Sequence, residues 1–314
     1  MIAREDNHRV LVTGANGQVG SVLSAALRDK HGIDNVIHTD ISTPEVELGH
    51  FEFLNVIDTD SIRELIETYD IKEIYHLAAI LSANGERNPR VTWNVNFTSY
   101  LNLLELSIEL GIQKIFFPST IAVFGPTTPR ENTSQDVPLL PSTVYGMSKA
   151  SGEYWNQYYY DQHGLDIRSI RYPGIIGHQS MPGGGTTDYA VEIFHEAINE
   201  GSYECYLGPD IRLPMIFMDD AIRATMELMS APRDAVKLHY GYNLSGLDFT
   251  PAELASEIQK HLPDFKITYA PDGREDIAKT WPMSIDDSLA RSQWKWKAKY
   301  DLEAMVSTMI HHLS

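Results

Sequence analysis

Val10 to Gly20 read VLVTGANGQVG. Three β-prone apolar residues open the stretch without a polar break, as in a strand covered on both faces. They lead to Gly14, and glycines recur at Gly17 and Gly20 as an amphipathic stretch begins near Val19 and runs to Lys30. Strand, glycine turn and helix in that order suit the pyrophosphate of a dinucleotide. Gly14 permits the tight turn. Gly17 lets the backbone approach the phosphates at the positive end of the helix, and Gly20 lets helix and strand pack closely. Asn16, Gln18 and Val19 belong to the same loop and are expected cofactor contacts. Asp40 closes the next apolar run, NVIHTD, twenty residues after Gly20. A carboxylate there can accept the adenosine ribose hydroxyls and repels a 2′-phosphate. Ile41, Ser42 and Thr43 supply no arginine to offset that, so NAD is expected over NADP.

Outward from this unit the alternation continues. Short strands are expected at His50 to Leu54, Glu73 to Leu77, Lys114 to Pro118 and Asp166 to Tyr172. Helices are expected from an Asp58 cap to Tyr69, from Val91 to Leu110 with Gly111 as the stop, and from Val144 to about Gln162. Apolar strands joined by helices predict an α/β fold, a Rossmann-type doubly wound parallel sheet. After Tyr172 the rhythm becomes irregular. Residues 1–172 are read as the cofactor-binding domain, with some later segments returning to it, and 173–314 mainly as a smaller α+β lobe that binds substrate.

The chain has 314 residues, 43% of them hydrophobic, enough for a substantial core. With 43 acidic and 25 basic residues the formal net charge is −18. Such a surface repels nucleic acid and anionic membranes. No apolar run reaches the roughly 18–20 residues of a membrane span, and no secretory signal precedes the first strand, so the cytoplasm is the expected compartment. The lone Cys205 rules out an internal disulfide and a multi-thiolate zinc site, and it is expected to pack. Twelve histidines form no zinc helix motif, and no metal is expected. His311 and His312 are expected to face solvent, and the run Tyr158 to Tyr160 to serve packing and interface.

Tyr145 and Lys149, in YGMSK, sit four apart in a predicted helix and so share a face. A free tyrosine has a pKa of about 10 and is a poor base at neutral pH, but a nearby ammonium favours its phenolate. Thr120 follows the fifth strand, at the edge where open α/β sheets bind ligands. Its hydroxyl can orient the substrate oxygen that Tyr145 deprotonates.

These residues carry a resemblance. GANGQVG, HLAA (His76 to Ala79), STIAVFG, YGMSK and RYPG (Arg171 to Gly174) resemble the extended short-chain dehydrogenases. The resemblance implies hydride transfer to NAD(P) by Thr120, Tyr145 and Lys149. It also implies cofactor contacts at Leu77, Ala78, Ala79, Asn96, Tyr172 and Pro173, and an adenine contact at Asp58. A longer likeness, through PSTIAVFGPTTPRENTSQ, YPGIIG, PGGGTTDYAVEIF and TWPMSIDDSLAR, is to the short-chain type of L-threonine 3-dehydrogenase. It implies that Ser82, Gly184, Gly185, Thr186, Thr187 and Trp281 surround the amino acid with Thr120 and Tyr145, and that helices carrying Asn102 and Tyr154 pair in a homodimer. Loop hydroxyls and glycine N–H groups suit the threonine carboxylate; no partner for its ammonium is evident. Gly177 and His178 depart from the small or polar residues expected after YPGII. Two alternatives stand beside this reading. A nucleotide-sugar epimerase could use Arg212 and Arg223 on a diphosphate, whereas a dehydratase would carry an acidic pair where Ile121 and Ala122 stand. A non-enzymatic NAD-sensing regulator could dispense with Tyr145 and Lys149.

Overall fold

The structure, a computed structural model, describes residues 8–44, 49–179, 181, 183 and 185–314. The first half runs β1 (Arg9–Thr13), α1 (Gln18–His31), β2 (Val36–Asp40), β3 (Phe51–Phe53), α2 (Thr59–Tyr69) and β4 (Ile71–His76). Three helices follow, α3 (Ser82–Gly85), α4 (Pro89–Trp93) and α5 (Ser99–Leu110), then β5 (Lys114–Thr120), α6 (Val144–His163) and β6 (Asp166–Tyr172). Among the described residues these strands form one parallel sheet in the order β3-β2-β1-β4-β5-β6. The chain reverses its direction of winding between β1 and β4, and ligands of such sheets bind outside that point.

Why VLV sits at the centre is visible in its burial: Val10, Leu11 and Val12 expose no surface. Val10 and Val12 pack with Leu23 and Leu27 of α1 on one face. Leu11, pointing the other way, packs with Ile62 and Ile66 of α2 and Leu103 of α5. A strand buried on both faces reads as an unbroken apolar run. Asp58 caps α2 by accepting from the Ser61 N–H at 3.2 Å, and Gly111 ends α5 at φ 70°.

The helix expected from Val91 to Leu110 is not uniform. It starts at Pro89, and Asn94–Thr98 between α4 and α5 form a π turn. The wider turn coincides with a specific demand, because the Asn96 amide accepts from the Ile80 N–H at 2.8 Å and donates to the Ile80 carbonyl at 2.9 Å. π turns of this kind often mark functional positions.

Beyond Tyr172 come β7 (Gly174–Ile176), α7 (Tyr189–Asn199), β8 (Ser202–Cys205), β9 (Leu213–Phe217), α8 (Met218–Ser230), β10 (Tyr242–Asn243) and β11 (Leu247–Phe249). The chain ends with α9 (Pro251–Gln259), β12 (Lys266–Tyr269), α10 (Gly273–Ala278), α11 (Ser288–Trp294) and α12 (Leu302–Leu313). β10 joins the main sheet beside β6. The remaining strands make two small sheets, β11-β9-β7 and β12-β8. The core of this region gathers Phe194 of α7, Leu254 of α9, Met305 of α12 and Trp281, with Cys205 packed among them.

Gly20 has no room for a side chain: a Cβ would lie 2.1 Å from the Gly14 carbonyl oxygen. Gly111 has open space, and an alanine there meets only the left-handed backbone penalty of about 1–2 kcal/mol. Urea titration should therefore show Gly20→Ala losing clearly more stability than Gly111→Ala. Equal losses would mean that the helix does not pack on the turn as described.

Candidate active site

The C-terminal edge of the sheet opens into a cavity of about 240 Å³. At one end it is walled by Gly14, Gly17, Gln18, Val19 and Gly20, with Leu77 and Ala79 from the exit of β4 and Tyr172 and Pro173 from the exit of β6. At the other end stand Thr120, Tyr145, Lys149, Ser82, Gly185, Thr186, Thr187 and Trp281. Residues that the sequence placed in two sites thus share one cavity. Gly184 lies outside the described residues. Leu81, Pro118, Ser119, Ile121, Gly174, Ile175 and Asp188 also line the cavity and were not anticipated. Of these Asp188 has a chemical signal in the sequence, a carboxylate directly after the paired threonines.

Five expected cofactor residues do not line the cavity. The Asn16 N–H donates to Asp40 Oδ2 at 3.0 Å and the Asn16 side-chain amide donates to the Ser42 carbonyl at 2.6 Å. These bonds staple the glycine loop to the end of β2. Asp40 Oδ1 accepts from the Ile41 N–H at 2.7 Å. Ala78 donates its N–H to Thr13 Oγ1 at 3.4 Å. Asn96 has its amide committed to Ile80, so it shapes the wall from behind. Asp58 is engaged with the Ser61 hydroxyl at 2.8 Å and backbone, which hold its carboxyl below the usual range.

Thr120 ends β5. Its Oγ1 accepts from the Ala122 N–H at 3.2 Å, the local turn bond common for a hydroxyl at a strand end. It also lies near enough to the Tyr145 phenol to lower that group's pKa. Thr143 caps α6 by accepting from the Gly146 N–H at 3.1 Å, which starts the helix just ahead of Tyr145. Lys149, one turn on, is buried, with Nζ 4.6 Å from the centre of the Phe117 ring and 5.9 Å from that of Tyr145.

Electrostatics here differ from the sequence expectation. Tyr145 is partly exposed on the cavity wall, yet burial of its phenol pushes it up to about 12, with the nearby Thr120 hydroxyl pulling the other way. Burial also draws the Lys149 ammonium down to about 7. Removing water disfavours both charged forms, and at this separation that outweighs the help each charge gives the other. Behind them His76 is buried, bonded through Nδ1 to Thr13 Oγ1 at 3.0 Å. Burial, aided by the nearby Lys149, lowers it to about 3, so it is neutral.

Several other signals resolve. Arg212 is paired with Asp248 and Glu253 at 2.8 and 2.5 Å. Arg223 is paired with Asp220 and Glu227 at 2.6 and 2.8 Å. Neither arginine lines the cavity. Ile121 and Ala122 are buried in the core. Tyr159 is buried, with its hydroxyl on Glu105, and Tyr160 stacks on His239 at 3.4 Å. His311 and His312 are exposed, with His312 stacked on His178 at 3.9 Å. Among the described residues no group of three or more His, Cys, Asp or Glu could hold a metal ion. No helix among them is long and apolar enough to cross a membrane.

Residues 10–244 match the NAD dependent epimerase/dehydratase family, and the chain belongs to it. Within that family its similarities are narrower. A bovine protein named L-threonine 3-dehydrogenase, mitochondrial, is 46% identical over 310 residues, covering 98% of this chain and 83% of the relative. The holo structure of an L-threonine dehydrogenase from Cupriavidus necator superposes with a TM-score of 0.96 at 49% identity, covering 98% of this chain and 100% of that one. A monomeric L-threonine 3-dehydrogenase from a metagenome gives 0.94 at 47% identity, covering 97% and 98%.

Burying Lys149 carries a testable cost. Its folded-state pKa of about 7 lies below the ordinary 10.5, so the folded chain holds fewer protons in that window. Stability then rises with pH from about 7 to about 10.5. Lys149→Met should raise Tm most at neutral pH and below, with the gain vanishing as pH approaches 10.5. A gain independent of pH would mean that the amine is not desolvated.

Proposed function

We propose that the chain oxidises the 3-hydroxyl of L-threonine to L-2-amino-3-oxobutanoate with NAD as the acceptor. The observation that carries this is the composition of the cavity beyond the Thr120–Tyr145 contact. It is small, and it presents hydroxyls, an indole and a carboxylate, a set suited to a zwitterionic amino acid. Ser82 Oγ and Thr186 Oγ1 lie 3.4 Å apart on the buried wall. Trp281 is buried, and its indole N–H has no partner among the described atoms. All three residues line the cavity, and this reading assigns the substrate carboxylate to them. Asp188 supplies the partner that the sequence left unnamed for the ammonium. The Gly185 N–H, expected on the substrate carboxylate, instead donates to Asp188 Oδ2 at 2.7 Å, which orients that side chain. With Arg212 and Arg223 engaged elsewhere, the epimerase alternative loses the cations it would place on a diphosphate.

The cofactor end fits NAD. Gly14, Gly17 and Gly20 form a cradle in which side chains at Gly14 and Gly20 would collide with backbone and one at Gly17 would crowd the Gly14 carbonyl at 3.3 Å. The N-terminal N–H groups of α1 suit a pyrophosphate. Asp40, at the end of β2, favours the unphosphorylated ribose. NAD, when bound, supplies the acceptor for the hydride leaving the substrate carbon. Tyr145 takes the hydroxyl proton, Thr120 holds the same oxygen in place, and Lys149, when protonated, would favour the phenolate and hold the nicotinamide ribose. Residues 1–172 then serve the cofactor and 173–314 mainly the substrate. A cytoplasmic homodimer completes the reading, with Asn102 on α5 and Tyr154, 61% exposed, on α6 at the interface. The mitochondrial and monomeric relatives make localisation and sedimentation its tests.

NADH formation should follow from L-threonine far faster than from 3-hydroxybutyrate or UDP-sugars; preference for a UDP-sugar would overturn the reading. Tyr145→Phe should lower kcat about 10²–10⁴-fold with NAD affinity nearly unchanged. Near wild-type turnover would remove Tyr145 from the chemistry. Asp188→Asn should raise KM for L-threonine about tenfold or more, as for a lost charged hydrogen bond, without weakening NAD. If KM stays put, the ammonium binds elsewhere.

A further inference from the structure

Glu153 lies one helical turn beyond Lys149 and two beyond Tyr145 on α6, with no exposed surface. Its carboxylate accepts from Arg171 three times, from Nη2 at 2.8 Å and from Nε at 3.0 and 3.1 Å. It also accepts from the Ser119 hydroxyl at 2.5 Å. Ser119 directly precedes Thr120 on β5, and Arg171 directly precedes Tyr172 on β6. Arg171 goes on to donate to the Gln135 carbonyl at 3.0 Å and to Asn243 Oδ1 at 3.1 Å. Asn243 is in β10, so one buried pair joins α6 to three neighbouring strands. The helix is also pressed tightly against the turn that leaves β5: a Cβ on Gly146 would lie 2.1 Å from the Ala122 carbonyl oxygen.

Stability alone is a poor reason for such a pair. Desolvating two charges is expensive, and well-packed apolar residues of similar volume often serve a fold as well or better. What the pair adds is direction. Glu153 is in helical register with Tyr145 and Lys149, its partner Arg171 directly precedes Tyr172, and its partner Ser119 directly precedes Thr120.

We infer that the Glu153–Arg171 pair is a positioning device for the reaction, setting the register of α6 against β5 so that Tyr145 meets Thr120 beside Lys149. Glu153 touches neither the cavity nor the substrate and acts through the strands it holds. For its substrate this rests on the threonine reading; for the contact it holds it does not.

The test uses the full chain with two variants. Glu153→Gln removes the charge but keeps the shape. Ser119→Ala removes one link to β5 and leaves the pair intact, so it folds even if the first variant is weakened. Each is measured for kcat, KM for L-threonine, NAD affinity by fluorescence and Tm, and its crystal structure reports the Thr120–Tyr145 contact. Misplacing a reacting group by an ångström can cost about 10²-fold, so kcat per folded molecule should fall about that much in Glu153→Gln and less in Ser119→Ala. KM and NAD affinity should stay near wild type, and the Thr120–Tyr145 contact should lengthen. A pure charge effect has the opposite sign, since an unpaired Arg171 cation would favour the Tyr145 phenolate and raise the rate at neutral pH. A lowered Tm with kcat per folded molecule and the contact both unchanged would overturn the inference and leave the pair a structural brace. If the wild type fails to oxidise L-threonine, the substrate reading falls, and the crystallographic contact still decides the positioning claim: opened, it stands; unchanged, it falls.

Discussion

Between β1 and β4 the winding of the sheet reverses, and there the backbone of Gly14 runs against Leu77 and Ala78. A Cβ on Gly14 would lie 2.7 Å from the Ala78 nitrogen, and the residue sits at φ 71°. This approach brings the glycine turn, the exit of β4 and the start of α1 to one point. Thr13 secures it from below by accepting from the Ala78 N–H and bonding His76. The cavity inherits its cofactor end from that constraint. Its other end follows from sheet order, because β5 lies beside β4 and β6 beside β5, and the two carry Thr120 and Tyr172 to the same edge.

The site stands on groups that the fold would not choose for stability. Enclosure draws the lysine down to about 7 and pushes the phenol up to about 12. Active sites commonly hold such perturbed groups, kept for function at a cost in stability. The neutral His76 and the Glu153–Arg171 pair share this setting: each is polar, buried and placed behind the reacting face. Low dielectric there makes every hydrogen bond to a developing charge stronger than it would be in water.

Much of this was legible in the sequence where the signal is local. An unbroken VLV followed by spaced glycines specifies strand, turn and helix without reference to anything distant. A spacing of four puts Tyr145 and Lys149 on one helix face, and the strand-end place of Thr120 brings it to the same cavity. Features that depend on distant partners were not legible. The π turn at Asn94–Thr98 is occupied by Asn96 bonding Ile80, a residue of the loop between β4 and α3. The competition between burial and mutual charge at Tyr145 and Lys149 depends on how tightly other elements enclose them. Asp188 directly follows the paired threonines in the sequence, but only the fold shows that it reaches the cavity wall. Glu153 and Arg171 are ordinary residues of a helix and a strand in the sequence, because neither reveals its partner until the sheet is assembled. Arg212 and Arg223 mislead for the same reason, as their acidic partners Asp248 and Glu253, and Asp220 and Glu227, show themselves only in the fold.

The claim on which the rest turns is that the bond broken in this cavity is the C3–H bond of L-threonine, with Tyr145 taking the neighbouring hydroxyl proton. L-Threonine carrying deuterium at C3 tests it most directly. Incubated with the enzyme and NAD, it should yield reduced cofactor bearing one deuterium per turnover, and Tyr145→Phe should slow the transfer without changing where the label goes. Reduced cofactor formed without the label, or no reduced cofactor from L-threonine at all, would contradict the account.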